Sequence, residues 1–166
     1  LPLMREKGSG LIINVSSLMG RIIIPFSALY TSSKYALEGY SESLRYELKP
    51  LGIDVAIIEP GGFGTNFLEN MTGPADEERL KQYGDYANKP NEMWGGVAQN
   101  LSGENAPNPQ EVADAALKLV NQPAGQRDLR IVVDPMSGGA GAPDINSLTD
   151  EKQHQLLQNF GMDAMI

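Results

Sequence analysis

LIINVSSLMGRIIIPFSALYTSSK, residues 11–34, sets an apolar run ending in two serines ahead of a tyrosine and a lysine four residues apart. The run at 11–17 alternates little between apolar and polar, as a strand buried on both faces of a parallel sheet requires. Residues four apart on a helix share a face, so Lys34 brings its ammonium beside the Tyr30 phenol. A phenol with an ordinary pKa of about 10 is a poor acid or base at neutral pH, and a neighbouring cation brings it toward the working range. Ligands of open α/β sheets bind outside the carboxyl ends of the strands, where Ser17 at a strand end and Tyr30 near a helix start converge. Ser17, Tyr30 and Lys34 are therefore the candidate catalytic residues of a site that moves a proton. Leu37, Leu44 and Leu48 are predicted to share the face of Tyr30 and Lys34 and to pack on the sheet.

Working outward, IDVAIIEPGGFGTNF at 53–67 supplies a second buried strand that Pro60 ends, because proline has no amide hydrogen for the ladder. Gly61, Gly62 and Gly64 then let backbone approach a ligand closely, or form a flexible turn. Asn108, Pro109 and Glu111 read as a helix start with the buried stripe Val112, Ala115, Ala116 and Leu119, and LRIVV at 129–133 as a third strand. The order strand, helix, strand, helix, strand fits parallel crossovers. GGAGAP at 138–143 follows a strand but carries Pro143, so it reads as a loop, with a terminal helix near 149–160. Three segments result: 1–62 with the Ser, Tyr and Lys signals and the Pro-Gly turn, 63–107, and 108–166. The middle one scatters Phe67, Leu68, Met71, Tyr83, Tyr86, Met93 and Trp94 among Gly, Asn and Pro; it is too long for a structureless loop and predicts short helices forming a lid or an apolar wall.

GSGLIINVSSLMG at 8–20, YTSSKYALEGYSESLRYEL at 30–48 and the 53–67 stretch together resemble the short-chain dehydrogenase/reductase family. The resemblance implies a partial Rossmann fold: an α/β doubly wound parallel sheet, here of about three strands with crossover helices plus a substrate-loop region, within one domain. It also implies an NAD or NADP cofactor and interconversion of an apolar alcohol with a ketone or aldehyde. Tyr30 would be the general acid/base, Lys34 would depress its pKa and hydrogen-bond the nicotinamide ribose, and Ser17 rather than Ser16 would orient the substrate oxygen. Pro60 and Gly61 would turn the chain beside the nicotinamide, with backbone of Phe63 and the hydroxyl of Thr65 on its carboxamide or phosphate. The family's glycine-rich strand-to-helix turn and its relay asparagine do not occur in the 166 residues, and Asn14 is not that asparagine. The expectation is a C-terminal portion of a dehydrogenase, inactive by itself and homo-oligomeric when full length.

Composition narrows the partners. Thirteen Lys and Arg against 21 Asp and Glu give a formal charge of -8, which opposes nucleic acid and anionic membranes. Cysteine is absent and His154 is the single histidine, so no metal site is expected, and His154 is assigned to a solvated helix face. No apolar run approaches the ~20 residues that span a bilayer, and the expected location is cytoplasmic.

Two other function classes match parts of the sequence. Ser17, Asp134 and His154 follow the chain order of one serine-hydrolase triad, but no Gly-x-Ser-x-Gly elbow surrounds Ser17. A non-catalytic remnant that keeps the sheet and helices for self-association is the alternative, since the family's Tyr- and Lys-bearing helix also lies in a subunit interface.

Overall fold

The computed structural model describes residues 1–104 and 106–166. Strands β1 (Gly10–Val15), β2 (Ile53–Pro60) and β3 (Arg130–Val133) form one parallel sheet in the order β1, β2, β3. Register sets Gly10 opposite Ile53 and Val15 opposite Ile58, and Pro60 opposite Val133. The Ser16 amide donates to the Ile58 carbonyl at 2.8 Å, carrying the ladder one residue past β1. All three strands point the same way, so their carboxyl ends share one edge.

Sequence explains the layers. β2 is flanked on both sides and covered on both faces, and Ile53, Val55, Ala56, Ile57 and Ile58 are each at most 1% exposed. The expectation of two-faced burial fails for β1, which is only half-buried and leaves Val15 exposed, because among the described residues it pairs with β2 alone. Helix α1 (Pro2–Lys7) leads into β1 and contributes Met4 to a cluster with Ile12, Leu44, Leu48, Ile53 and Val55. Gly8 closes α1 in the left-handed conformation.

Helix α2 (Ala28–Leu48) joins β1 to β2 and packs on β2. Its buried face differs from the predicted leucine stripe: Thr31, Glu38, Ser41, Tyr46 and Leu48 are buried, while Leu37 and Leu44 are half-buried. Polar groups can face the sheet because each finds partners. Ser41 accepts from the Asn14 amide at 2.8 Å, and Arg45 donates to the carbonyls of Val55 and Arg127 at 2.7 and 2.8 Å. Helix α5 (Gln110–Asn121) buries Ala115 and Leu119 with Val112 and Ala116 half-buried, as the periodicity predicts. It begins one residue after the predicted first-turn proline.

Helix α6 (Ala142–Asn159) starts well before the predicted 149–160, inside the stretch read as a loop. Pro143 lies in its first turn, where a missing amide hydrogen costs nothing, and Gly138, Gly139 and Gly141 take the positive φ that reverses the chain after β3.

The chain divides into two compact units, Leu1–Gly61 with Gln110–Ile166, and Gly62–Pro109. The second holds α3 (Glu77–Lys81), a 3-10 segment at Gly84–Asn88 and α4 (Lys89–Asn100), so short helices do occupy the middle stretch. Asp76 caps α3 by accepting from the Arg79 amide at 2.9 Å. Gly62 and Gly64 pack on Leu101, and a Cβ at Gly64 would lie 2.4 Å from the Leu101 carbonyl oxygen.

Candidate active site

Three pieces of chain meet at the carboxyl edge of the sheet. After β1 the backbone stays extended through Ser17, whose Oγ accepts from the Met19 amide at 3.1 Å and caps the 3-10 turn Leu18–Gly20. Ser17 is buried, and its hydroxyl hydrogen is not consumed by that contact. Ser16 is buried too, but its Oγ makes no hydrogen bond among the described residues. Phe26 takes a positive φ of 61° just before α2, an uncommon conformation for an aromatic residue.

Tyr30 and Lys34 lie in the first two turns of α2, both half-buried. The Lys34 Nζ sits 5.5 Å from the centroid of the Tyr30 ring and donates to the Val15 carbonyl at 3.1 Å. The lysine thus touches the last residue of β1, two positions before Ser17, and faces the tyrosine. Burial of the ammonium lowers the Lys34 pKa from its ordinary value, against the opposing pull of Glu38 one turn on.

Pro60 ends β2 and Gly61 follows it at the same edge. The Gly61 amide donates to the Val133 carbonyl at 2.9 Å, so the turn is ordered rather than loose. A side chain there would have to displace Asp134, because a Cβ would lie 2.3 Å from its Oδ1. Asp134 in turn accepts from the amides of Ser137 and Gly139 at 3.3 and 3.1 Å and from the Ser137 hydroxyl. Phe63 and Thr65 belong to the second unit, where the Thr65 amide donates to the Phe63 carbonyl at 2.9 Å and Thr65 Oγ1 accepts from the Phe67 amide at 3.4 Å. In that unit Phe67, Met71, Tyr83 and Tyr86 are exposed, and Met93 and Trp94 are half-buried on α4.

The hydrolase arrangement does not form. Among the described residues Ser17, Asp134 and His154 make no hydrogen bond to one another, and His154 lies on an exposed face of α6. No helix among the described residues is long and apolar enough to cross a membrane.

Sequence reasoning missed the charged layer behind this edge. Arg130, 3% exposed, reaches Glu38 at 3.1 Å, Glu42 at 2.7 Å, Glu59 at 3.4 Å and Asp150 at 2.9 Å. The Asn146 amide donates to Glu59 Oε2 at 2.7 Å. A second pair, Arg127 with Asp54 at 2.6 Å, ties the turn before β3 to β2. The signal was available: a glutamate and an arginine inside the apolar runs IDVAIIEP and LRIVV cannot be buried without partners.

The sequence and the fold both resemble those of known proteins. The family model described as short chain dehydrogenase matches residues 1–75. A Bacillus subtilis protein named uncharacterized oxidoreductase YusZ is 44% identical over 127 residues, covering 74% of this chain and 42% of the relative. A short-chain dehydrogenase from Streptomyces avermitilis superposes with a TM-score of 0.64 at 27% identity, over 97% of this chain and 56% of that one. A 3-oxoacyl-[acyl-carrier protein] reductase from Brucella melitensis, solved with bound NAD, superposes at 0.52 and 28% identity, over 81% and 42% of the two chains. The chain spans about half the length of the curated relatives it matches.

Proposed function

The chain belongs to the short-chain dehydrogenase family, and from that premise we propose that it supplies the catalytic side of a site that interconverts an apolar alcohol with its ketone or aldehyde. The observation that carries this reading is the position of Lys34, held by the Val15 carbonyl at 3.1 Å and facing the Tyr30 ring at 5.5 Å. Tyr30 is the group assigned to exchange a proton with a substrate oxygen, and Lys34 is the cation beside its ring. Ser17, whose oxygen already accepts from Met19, keeps its hydroxyl hydrogen for that same substrate oxygen.

The residues fit a nicotinamide dinucleotide, NAD or NADP. An ammonium has three donors, and Lys34 spends one on Val15, which leaves donors for a ribose hydroxyl. Pro60 and Gly61 form a firm turn at the same edge of the sheet, and the backbone of Phe63 and the hydroxyl of Thr65 are the further groups assigned to that cofactor. When bound, the cofactor supplies or accepts the hydride, while Tyr30 handles the proton. Met93, Trp94 and the exposed aromatics of the second unit are assigned to the apolar substrate.

The test is nicotinamide absorbance at about pH 7 with a panel of apolar ketones and alcohols. Turnover that depends on Tyr30 supports the reading, and equal turnover in Tyr30→Phe refutes it. Self-association is a second reading, favoured by Leu29 and Tyr40, which α2 leaves 90% and 61% exposed. Light scattering with Leu29→Asp and Tyr40→Asp tests it.

A further inference from the structure

The layer of charge around Arg130 connects the elements that carry the proposed chemistry. Glu38 lies one turn beyond Lys34 on α2, Glu59 immediately precedes Pro60 on β2, and Arg130 on β3 reaches both. Glu42 of α2 and Asp150 of α6 complete its surroundings, and the positive charge of Arg21, between the 3-10 turn and α2, also favours ionised Glu59. Glu59 is wholly buried, and Glu38 and Arg130 nearly so. We propose that Glu59, Arg130 and Glu38 form a proton-sensitive clamp that positions the Tyr30 and Lys34 helix against the Pro60–Gly61 turn.

Geometry makes the clamp sensitive to one proton. Arg130 faces four carboxylates, and one guanidinium cannot neutralise them all. Glu59 Oε2 accepts from Asn146, Glu59 Oε1 lies 3.4 Å from the Arg130 Nε as an ion pair without a hydrogen bond, and Glu38 Oε1 makes no hydrogen bond among the described residues. A proton on Glu59 removes one negative charge from the group and leaves Arg130 to the remaining carboxylates. Ionisation restores that charge in a buried place, setting Glu59 against Glu38 for the same arginine. Burial, then Glu38, raise the Glu59 pKa to about 7, which puts the switch in the physiological range. A cavity of about 360 Å³ is bordered by Arg130, Asn146 and Asp150, three of the residues in this charged group.

The inference rests on reading Tyr30 and Lys34 as the catalytic pair, so its test does not depend on turnover. Heteronuclear NMR of the full-length protein would follow the Glu59 carboxyl carbon together with the Lys34 and Gly61 amides from about pH 5 to about pH 9. The expected result is one shared midpoint for all three in the wild type, and amides that stay flat through that range in Glu59→Gln. Lys34 and Gly61 amides that ignore the Glu59 titration in the wild type would overturn the clamp, and that measurement needs no variant to fold. In the kinetic arm, a pH limb of kcat/KM at the same midpoint should vanish in Glu59→Gln, and an unchanged limb counts against positioning. Coupled amides in a protein that turns over no alcohol or ketone would sink the proposed function and leave the clamp standing.

Discussion

Lys34 donates to the carbonyl of Val15 at 3.1 Å, so the lysine of α2 is anchored on the last residue of β1. The bond crosses from helix to sheet and sets where the ammonium meets the Tyr30 ring. Removing it in Lys34→Ala should weaken both cofactor affinity and turnover, measured by fluorescence titration of the reduced cofactor alongside steady-state rates. Loss of turnover with full cofactor affinity would confine Lys34 to tuning Tyr30. Because burial lowers the Lys34 pKa, the ammonium is lost earlier than that of an exposed lysine as pH rises, and activity should fall on that alkaline limb.

Tyr30→Phe keeps the ring and removes the exchangeable proton. Turnover should drop by a factor of about 10²–10⁴ with cofactor binding nearly unchanged. Ser17→Ala should lower turnover and leave dinucleotide affinity intact, whereas normal kinetics there would shift attention to Ser16.

Gly61→Ala forces a methyl group to within 2.3 Å of Asp134 Oδ1. Overpacking of this kind costs about 1–3 kcal/mol, visible as a lower melting temperature. The double change with Asp134→Ala should recover part of the loss, and strictly additive effects would show that the contact is not the cause.

Stability should fall as pH rises through the window between the ordinary carboxylate value of 4.5 and about 7, because folded Glu59 holds its proton more tightly than the unfolded chain does. Glu59→Gln should flatten this part of the profile in thermal melts, and a wild type whose stability rises steadily across the window would contradict it.

Replacing Met93 or Trp94 by alanine should reorder preference among apolar ketones more than it alters nicotinamide affinity. An unchanged ranking would return both residues to simple packing within α4.

The sheet could be read from the sequence because its strands are apolar and its turns carry proline and glycine at their ends. The Tyr30 and Lys34 relationship was legible for a simpler reason: helical spacing alone brings the two together. Other features escaped the pattern. Hydrophobic periodicity assigns the α2 stripe to leucines and is blind to buried Glu38 and Ser41 and half-buried Arg45, whose partners lie far away in sequence. Pro143 reads as a breaker in the sequence, although the glycines before it make it a helix start. The neighbours of Arg130 come from α2, β2 and α6, and no local window holds them together.

The knot around Arg130 also restricts how this sequence can drift. Losing the arginine strands buried carboxylates, and breaking such a group from one side costs about 3–5 kcal/mol, a large share of what holds a small domain together. Losing a single acid leaves the remainder to be rebalanced around a cation that cannot leave. Substitution at Glu38, Glu59 or Arg130 should therefore be tolerated in compensating sets, and a lineage that has replaced Arg130 should have neutralised Glu59 as well.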